Sequence, residues 1–411
     1  MSYPEEKLNF ENSENAFKYK SNAELKQALI LFNSMRYPLL VKMGTKLTPW
    51  AIKSGLPVRG LIRKTIFKQF VGGETLEETT RVTDMLDKYN VQVILDYGAE
   101  GGLNGEEGFE EARKQFLKVI DFAGTQDNVP FMSIKVTGIA RFELMEKMDT
   151  LMHQANSTLM GNYEKVLGQL SEEERKEWEK VIDRMVEICE HARKADVGVL
   201  IDAEDSYIQD PIDAMVCKLM DTYNRDGKCL VYNTAQLYRH DRLAFMKSML
   251  EAAKSRGFIL GMKLVRGAYM EKERARAEEK GYQDPIQPDK ESTDRDFDES
   301  ARLCMDNLDS VSMVLASHNE DSNQIAVEYL QQKGILLNHP HVHFSQLYGM
   351  SDNITFNLAK LGCNVSKYLP FGPIEEVVPY LMRRAEENSS IDGQTSRELV
   401  MIRKELKRRG A

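Results

Sequence analysis

Cysteine is scarce in this chain, and no two cysteines have the spacing of a zinc-binding or redox pair. The sequence has five cysteines among 411 residues and contains no Cys-x-x-Cys motif. A disulfide framework or a structural zinc site normally needs closely spaced cysteines. Both are therefore excluded as the basis of the fold, and a reducing compartment is expected.

Long hydrophobic runs and the usual dinucleotide motif are also missing. No stretch approaches the ~20 apolar residues that a membrane-spanning helix needs. No Gly-x-Gly occurs, so a dinucleotide, if bound, is not held by a Rossmann fingerprint. The N-terminal sequence MSYPEEKLNFENSEN is acidic rather than Arg-rich, and we expect neither a signal peptide nor a transit peptide.

Excess positive charge is lacking as well. The 55 lysines and arginines are outnumbered by 64 aspartates and glutamates, which gives a net charge of −9. Such a surface repels phosphate backbones, so we expect no nucleic acid partner. The hydrophobic fraction of 42% is that of an ordinary globular protein. Because a single-core domain usually has ~100–150 residues, the length predicts either two domains or one large layered α/β architecture.

The pattern of apolar residues changes near Asn90. Residues 22–90 have a largely helical periodicity, whereas residues 91–411 contain eight short β-rich runs, most of them followed by a helical segment. Buried strands alternating with helices predict a parallel sheet covered on its outside, and eight units predict a (β/α)8 TIM-like barrel. We therefore predict an N-terminal helical segment (1–90) and a barrel with a C-terminal helix (91–411). The runs are VQVILDY (Val91–Tyr97), FMSIKVTGI (Phe131–Ile139), GVLIDA (Gly198–Ala203), CLVYN (Cys229–Asn233), FILGMKLV (Phe258–Val265), SVSMVLA (Ser310–Ala316), HVHFSQ (His341–Gln346) and NVSKYL (Asn364–Leu369).

The carboxyl ends of these runs are unusually polar. In a (β/α)8 barrel the chemistry lies where strands end and loops begin. Charges inside a barrel mouth need partners, because an unpaired buried charge costs several kcal/mol. We expect Lys135 and Lys263 to be balanced by Asp202 and Glu204. One interpretation is an ion-pair network that only fills the mouth.

A second polar set favours a binding site over that interpretation. In YLMRRAEEN, four residues lie on one helix face, namely Tyr380, Arg383, Arg384 and Glu387. Two guanidinium groups beside a phenol suit a small carboxylate that carries an apolar body. His339, His341 and His343 alternate along one strand, but they begin the seventh run at the opposite end of the barrel. We therefore predict no metal site.

Seven segments together resemble the successive strand-end motifs of the proline dehydrogenase family. They occur in the family's order and span about Val91 to Asn388, and they are SIKVT, LIDAEDSY, MKLVRGAYMEKERARAEEKGYQDPI, ASHNED, FSQLYGM, KYLPFGP and YLMRRAEEN. The resemblance implies a (β/α)8 barrel that binds FAD non-covalently. It implies the first step of proline catabolism, in which L-proline is oxidised to Δ1-pyrroline-5-carboxylate by hydride transfer from proline C5 to FAD N5, and electrons pass to a membrane quinone. We expect a monofunctional bacterial enzyme that is cytoplasmic, either free or peripheral to the inner membrane.

The same resemblance implies roles for individual residues. Arg383, Arg384 and Lys135 match groups that bind the proline carboxylate, and Glu100 matches a gating glutamate that pairs with the first arginine. Three side chains match those that pack on the substrate ring, namely Leu347, Tyr368 and Tyr380. Asp202 matches an aspartate near flavin and substrate. The positions matching flavin contacts are Ala203, Asn233, Arg266, Gly267, Ala268, Ser317 and His318.

The chain departs from the pattern common in bacterial members in two places. Lys263-Leu264-Val265-Arg266 stands where many of them have Arg-Leu-Val-Lys, and Asn233 stands where they have a glutamine. Lys263 is then the expected catalytic cation beside the flavin, with a single ammonium in place of a bidentate fork. We expect Asp202 to orient Lys135 or a flavin edge rather than to act as the base.

Several questions stay open at the level of sequence. Lys135 could instead form the Schiff base of an aldolase, and the arginine clamp could serve a non-catalytic amino-acid sensor. The basic C-terminal segment SRELVMIRKELKRRGA could dock on anionic lipid or could cover the barrel. By resemblance, Tyr368 excludes hydroxyproline, because relatives that prefer that substrate carry a smaller residue there.

Overall fold

Eight parallel strands close into a barrel in the computed structural model, which describes residues 7–54, 58–98, 105–155, 157–389 and 395–411. Each strand pairs with the next along the chain, and the last pairs with the first. The predicted (β/α)8 fold is thus confirmed. The strands are β1 Gln92–Tyr97, β2 Phe131–Ile134, β3 Gly198–Ile201, β4 Val231–Gln236, β5 Leu260–Val265, β6 Val311–Ala316, β7 Val342–Leu347 and β8 Val365–Phe371.

Helices precede the barrel, cover its outside and follow it. Those before the first strand are α1 Ser13–Phe17, α2 Asn22–Met35, α3 Pro38–Lys53, α4 Arg59–Ile62, α5 Lys68–Phe70 and α6 Leu76–Asp87, with a π-helical turn at Arg63–Phe67. The others are α7 Gly105–Ala123, α8 Phe142–Gln154, α9 Leu159–Leu167, α10 Glu172–Ala195, α11 Gln209–Tyr223, α12 Arg242–Arg256, α13 Met270–Lys280, α14 Lys290–Met305, α15 Glu320–Gln332, α16 Asp352–Leu361, α17 Ile374–Ser389 and α18 Thr395–Arg408. None of the described helices combines the length and apolar character needed to cross a bilayer.

Local sequence signals explain where the longest helix starts. Ser171 accepts a hydrogen bond from the Glu174 backbone N–H, and the Glu174 carboxylate accepts one from the Ser171 backbone N–H. This capping box satisfies two backbone donors that the first turn of α10 would otherwise leave unpaired. The helix then buries one apolar face that includes Trp178, Val181 and Met185.

The N-terminal helices and the C-terminal helices share one apolar cluster beside the barrel. Helix α2 packs against α18 and α3 packs against α17. The cluster includes Phe17, Leu25 and Phe32 from the N-terminal helices together with Leu399 and Ile402 from α18. The division of the chain near Asn90 therefore stays a prediction, although the helical elements end at Asp87 and β1 begins at Gln92.

The basic side chains of α18 are largely paired within the protein. Arg408 and Arg409 contact the Glu405 carboxylate, and Lys404 contacts Glu11 at 2.8 Å. Since the apolar face of this helix is buried as well, its packing favours the covering role over lipid docking.

A period of two separates the lumen face of each strand from its helix face. Ile94, Leu200, Tyr232 and Val314 pack together inside the barrel. Residues two positions further along these strands lie nearer the carboxyl end, where polar side chains line the mouth.

A buried ion-pair network ties the outside of the barrel to the N-terminal helices. The Asp352 carboxylate at the start of α16 lies 2.9 Å from the Lys367 ammonium on β8 and 2.9 Å from the Lys20 ammonium. Tyr19 donates a hydrogen bond to the same carboxylate at 2.7 Å. Burial alone would raise the pKa of Asp352, but Lys20 and Lys367 hold that pKa well below its usual range.

We predict that Asp352→Asn lowers the free energy of unfolding by about 3–5 kcal/mol. The reason is that two buried ammonium groups lose their shared counter-charge. Urea unfolding measures the change. Glu172→Gln is the control, because it removes an exposed pair with Lys176 and should cost at most about 0.5 kcal/mol. A loss for Asp352→Asn no larger than that of the control would contradict the assignment.

Candidate active site

The Asp202 carboxylate, directly after β3, is the centre of the polar mouth. One of its oxygens accepts hydrogen bonds from the Ser133 hydroxyl at 2.6 Å and from the Lys263 ammonium. The other oxygen accepts from the Lys135 ammonium at 3.1 Å and from the Tyr368 hydroxyl at 2.8 Å. The structure therefore brings together four of the residues predicted for the site.

The charges around Asp202 keep it ionised. Burial alone would raise the pKa of this carboxyl, but the neighbouring charges of Lys263 and Lys135 hold that pKa well below its usual range. A carboxyl with so low a pKa is a poor general base at neutral pH. This agrees with an orienting role for Asp202.

Glu204 is placed differently from the expectation. Its carboxylate accepts hydrogen bonds from the Thr137 backbone N–H at 3.0 Å and from the Thr137 hydroxyl at 2.5 Å. No ion pair joins it to Lys135 or Lys263 in the described part of the chain, so Asp202 provides the direct contacts to both lysines. Burial raises the pKa of Glu204 to about 7, although the hydrogen bonds from Thr137 oppose the rise.

The arginine side of the mouth has polar atoms without partners. Tyr380 and Arg384 on α17 are both buried, and the Arg384 guanidinium lies 5.1 Å from the centre of the Tyr380 ring. Arg384 Nη1 contacts Glu387 at 2.7 Å. Within the described residues, however, Arg384 Nε and the Tyr380 hydroxyl make no hydrogen bond. Buried groups of this kind normally have a partner, so they indicate a ligand that supplies one.

Asp96 links the two sides of the mouth. Its carboxylate at the end of β1 lies 3.4 Å from the Lys135 ammonium. Burial raises the pKa of Tyr380 to about 12, with a contribution from the negative charge of Asp96. The phenol therefore stays protonated as a hydrogen-bond donor. Arg383, the other predicted clamp residue, is half-buried and lies 5.9 Å from the centre of the Tyr269 ring.

Arg266 and Ser317, two predicted flavin contacts, are in direct contact at the ends of β5 and β6. Arg266 donates hydrogen bonds to the Ser317 hydroxyl at 2.7 Å and to the Ser322 hydroxyl at 2.9 Å. Gly267 follows with a φ of 139°, and a Cβ there would lie 2.5 Å from the Tyr238 ring. Only glycine fits this close approach without strain. Gly267 and Ala268 are exposed, so their backbone is accessible at the mouth.

His318 follows Ser317 and is held in its neutral form. Its Nδ1 lies 2.8 Å from the Ser351 hydroxyl, and its Nε2 accepts a long hydrogen bond of 3.4 Å from the Leu347 backbone N–H. Burial lowers the pKa of His318 to about 3, and the charges of Lys367, Arg384 and Arg266 add to the effect. The imidazole near Arg384 and Arg266 is therefore uncharged at neutral pH.

Asn233 faces away from the mouth, which corrects its expected position. Its side-chain amide donates to Asp213 on α11 at 2.9 Å, and its side-chain oxygen accepts from the Thr234 backbone. Because side chains alternate along β4, Asn233 lies on the helix face, while Gln236 lies on the lumen face with Tyr232. Gln236 is buried, and its amide donates to the Glu204 carbonyl at 2.7 Å. The period of two along β4 is the signal that identifies this missed residue.

The remaining predicted residues lie around this mouth or outside the description. Leu347 is the last residue of β7, and Ala203 is half-buried directly after Asp202. Glu100 lies outside the described residues, so its gating role stays a prediction. Among the described residues, one group has metal-ligand geometry, formed by Asp149, His153 and Asp210. It does not involve the histidines that begin the seventh run.

The residues of the polar mouth lie within a segment that matches a known protein family. The family model described as proline dehydrogenase matches residues 79–397. The chain belongs to the proline dehydrogenase family. It is therefore an oxidoreductase of proline catabolism, as the sequence motifs imply.

Named relatives and a solved structure agree with the family and the fold. The chain is similar to hydroxyproline dehydrogenase of Xenopus laevis, with 32% identity over 423 residues that cover 96% of this chain and 88% of that protein. It is similar to mitochondrial proline dehydrogenase 1 of Dictyostelium discoideum, with 32% identity over 383 residues that cover 86% and 66% of the two chains. Proline utilization A of Bdellovibrio bacteriovorus, solved after inactivation by N-propargylglycine, has the same fold with a TM-score of 0.69 and 19% identity, covering 93% of this chain and 38% of that one.

We predict that Glu204→Gln flattens the pH dependence of stability. Glu204 is protonated in the folded state between its ordinary pKa of 4.5 and the raised value of about 7, whereas the unfolded chain is ionised there. The stabilisation is complete below the lower value and is lost as pH rises through the upper one. The variant should therefore gain about 3 kcal/mol relative to wild type across this window.

Urea unfolding at a series of pH values measures this difference. Glu398, another carboxyl whose pKa burial raises to about 7, is unchanged in both proteins and cancels in the comparison. Parallel curves for the two proteins across the window would show that Glu204 does not titrate as described.

Proposed function

We propose that this protein oxidises L-proline to Δ1-pyrroline-5-carboxylate with FAD bound non-covalently at the barrel mouth, and that electrons pass to a quinone. The observation that carries the proposal is the pair of buried groups that have no hydrogen-bond partner among the described residues, Arg384 Nε and the Tyr380 hydroxyl, beside the paired cluster around Asp202. Buried polar groups normally have hydrogen-bond partners, and these two lie beside each other at the mouth. A small carboxylate would satisfy them.

The residues at the ends of β5 and β6 fit the proposed cofactor. Arg266, which is paired with Asp294 and held by Ser317 and Ser322, brings a guanidinium to the mouth for a pyrophosphate, and Gly267 lets a ligand approach the backbone closely. The positions proposed to hold FAD are Ala203, Gln236, Arg266, Gly267, Ala268, Ser317 and His318. Asn233 is not among them, because its side chain is bonded to Asp213 on the helix face. FAD, when bound, supplies the acceptor for the hydride that leaves proline C5.

The chain's own residues bind and orient the substrate in this proposal. Arg383, Arg384 and Lys135 bind the carboxylate, and the bidentate fork of each arginine fixes its orientation. Leu347, Tyr368 and Tyr380 surround the ring and exclude water. Asp202 holds Lys135 and Lys263 in position, and Lys263 supplies a positive charge on the lumen face of β5.

Two other functions are less well supported. A Schiff-base aldolase needs a neutral lysine nucleophile, whereas the Lys135 ammonium lies between the carboxylates of Asp96 and Asp202. Borohydride reduction in the presence of substrate would trap such an adduct if it formed. A non-catalytic sensor would use the same clamp but would bind no flavin. A purified protein that is colourless and cannot be reconstituted with FAD would exclude the proposed oxidation.

The membrane quinone implies a membrane contact, which we include in the proposal. Relatives in Dictyostelium and Arabidopsis are named mitochondrial. These names do not support the bacterial cytoplasmic location that the sequence predicts for this protein. They favour a mitochondrial location instead.

We predict that Arg384→Met lowers kcat/KM for proline at least ~100-fold while FAD stays bound. The loss of one partner of a desolvated ion pair costs about 3–5 kcal/mol, and each ~1.4 kcal/mol is a factor of ten. Steady-state kinetics with a soluble dye acceptor measures the change. Arg193→Met is the control, because Arg193 is exposed on α10 and pairs with the nearby Glu190 on the same helix. A loss below tenfold would remove Arg384 from the clamp.

We predict that Tyr368→Ser narrows the preference for proline over hydroxyproline. The phenol leaves little volume for a ring hydroxyl, and an apolar contact of this size discriminates by ~1–3 kcal/mol, or about 10–200-fold. The Xenopus relative makes hydroxyproline the second candidate substrate. The ratio of the two kcat/KM values is the measurement.

The structure supplies a matched variant for this test. Tyr368→Phe removes only the hydrogen bond to Asp202 and keeps the ring. It should lower kcat/KM for proline and for hydroxyproline without narrowing the ratio of the two values. A wild type that prefers hydroxyproline, or a serine variant that keeps the original ratio, would reopen the substrate assignment.

A further inference from the structure

The N-terminal segment contains a long stretch without acidic residues. From Leu25 to Gly73 the sequence has nine lysines and arginines and no aspartate or glutamate. The protein as a whole has a net charge of −9, so this stretch is opposite in sign to the remainder. Arg59 and Arg63 are paired with Glu375, Glu74 and Glu78 within the protein, and the other seven cations leave an excess of positive charge that suits an anionic partner.

The same stretch carries most of the exposed large apolar side chains. Leu39, Leu40, Met43 and Leu47 on α3 are 72%, 57%, 51% and 53% exposed, and they fall within an arc of about 100° on one helix face. The opposite face of α3 packs on α17 and α2 and buries Val41. Helix α3 thus has two apolar faces, one buried against α17 and α2 and the other exposed to solvent.

Two helices beside α3 in the sequence carry exposed apolar side chains as well. Ile30 on α2 is 70% exposed and Leu61 on α4 is 67% exposed. Both line a groove of about 530 Å³ whose charged lining is Lys20, Lys64, Lys68 and Arg81 together with the acidic Glu24. Apolar walls with cations fit a phospholipid, which has an acyl chain and an anionic headgroup.

We propose that α3, with the exposed residues of α2 and α4, is a docking face for an anionic lipid bilayer. We call it the α3 face, and its apolar members are Ile30, Leu39, Leu40, Met43, Leu47 and Leu61. Exposed leucines insert into the interface of a bilayer, while lysines and arginines bind its acidic headgroups. Both kinds of side chain can contact the bilayer at once when α3 lies flat on the membrane.

Other partners fit the α3 face less well. A second copy of the chain would bring two basic surfaces together in a symmetric contact, and like charges repel. A nucleic acid would complement the charge but would leave the leucines in water. The basic C-terminal helix α18 is a weaker candidate for docking, because its apolar face is buried in the cluster shared with α2.

The docking face deepens the proposed function, because it brings the enzyme to the membrane that holds a quinone. The groove also includes Tyr348 and Gly349, which follow Leu347 at the end of β7. Lipid binding is measured in the absence of substrate. The membrane-docking proposal and the proposed oxidation of proline can therefore be disproved independently.

Sedimentation with lipid vesicles tests the proposal on the full-length chain. We expect binding to vesicles of phosphatidylcholine mixed with phosphatidylglycerol, and at least tenfold weaker binding to phosphatidylcholine alone or in high salt. The double variant Leu40→Glu/Met43→Glu should bind the mixed vesicles at least tenfold more weakly. Its turnover with a soluble dye should be unchanged, which shows that the variant is folded.

Two variants of the same type serve as controls. Leu336→Glu and Val400→Glu each place a carboxylate at an exposed apolar position, 48% and 51% exposed, and neither should change vesicle binding. A double variant that binds like wild type would overturn the proposal, and loss of binding in Val400→Glu alone would transfer it to α18. The proposal would also be overturned if the wild type does not bind vesicles but forms a dimer, and the double variant is a monomer. The α3 face would then be a contact between two copies of the chain.

Discussion

The pairing of Lys135 and Lys263 with the Asp202 carboxylate is the constraint on which the barrel mouth depends. Asp202 follows β3, while its donors Ser133, Lys135, Lys263 and Tyr368 lie on β2, at its end, on β5 and on β8. The attraction between these charges offsets the cost of removing them from water only while the geometry is kept. One side chain thus fixes the relative positions of groups from opposite sides of the barrel.

The mouth is divided into a satisfied half and an unsatisfied half. Around Asp202 the donors have acceptors, whereas Arg384 Nε and the Tyr380 hydroxyl on α17 have no partner in the part of the chain that the structure describes. The first half is preorganised and does not need to rearrange when a substrate arrives. In the proposed function a substrate carboxylate provides partners for the second half, so binding energy comes from groups that gain partners on binding.

Periodicity along the chain was enough to predict the barrel but not every side chain at its mouth. The eight apolar runs and the capping box at Ser171 and Glu174 are local signals, and the structure contains both. We propose Gln236 rather than Asn233 as the contact from β4, because the alternation of side chains along that strand turns Asn233 to the helix face. The pairing of Lys367 with Asp352 and the neutral state of His318 depend on contacts between distant segments, which no local pattern reveals. The exposure of apolar residues on α3 could not be predicted from the sequence either. Apolar residues at helical spacing are equally typical of a helix that buries them.

A double-mutant cycle on kcat/KM for proline tests the role of Asp202 most directly. The variants are Asp202→Asn, Lys135→Met and the combination of the two. If Asp202 acts by holding Lys135, the loss in the double variant is smaller than the product of the two single losses by at least ~10-fold. Losses that multiply without this coupling would show that Asp202 and Lys135 act independently, and the account of the mouth as one compensated unit would be wrong.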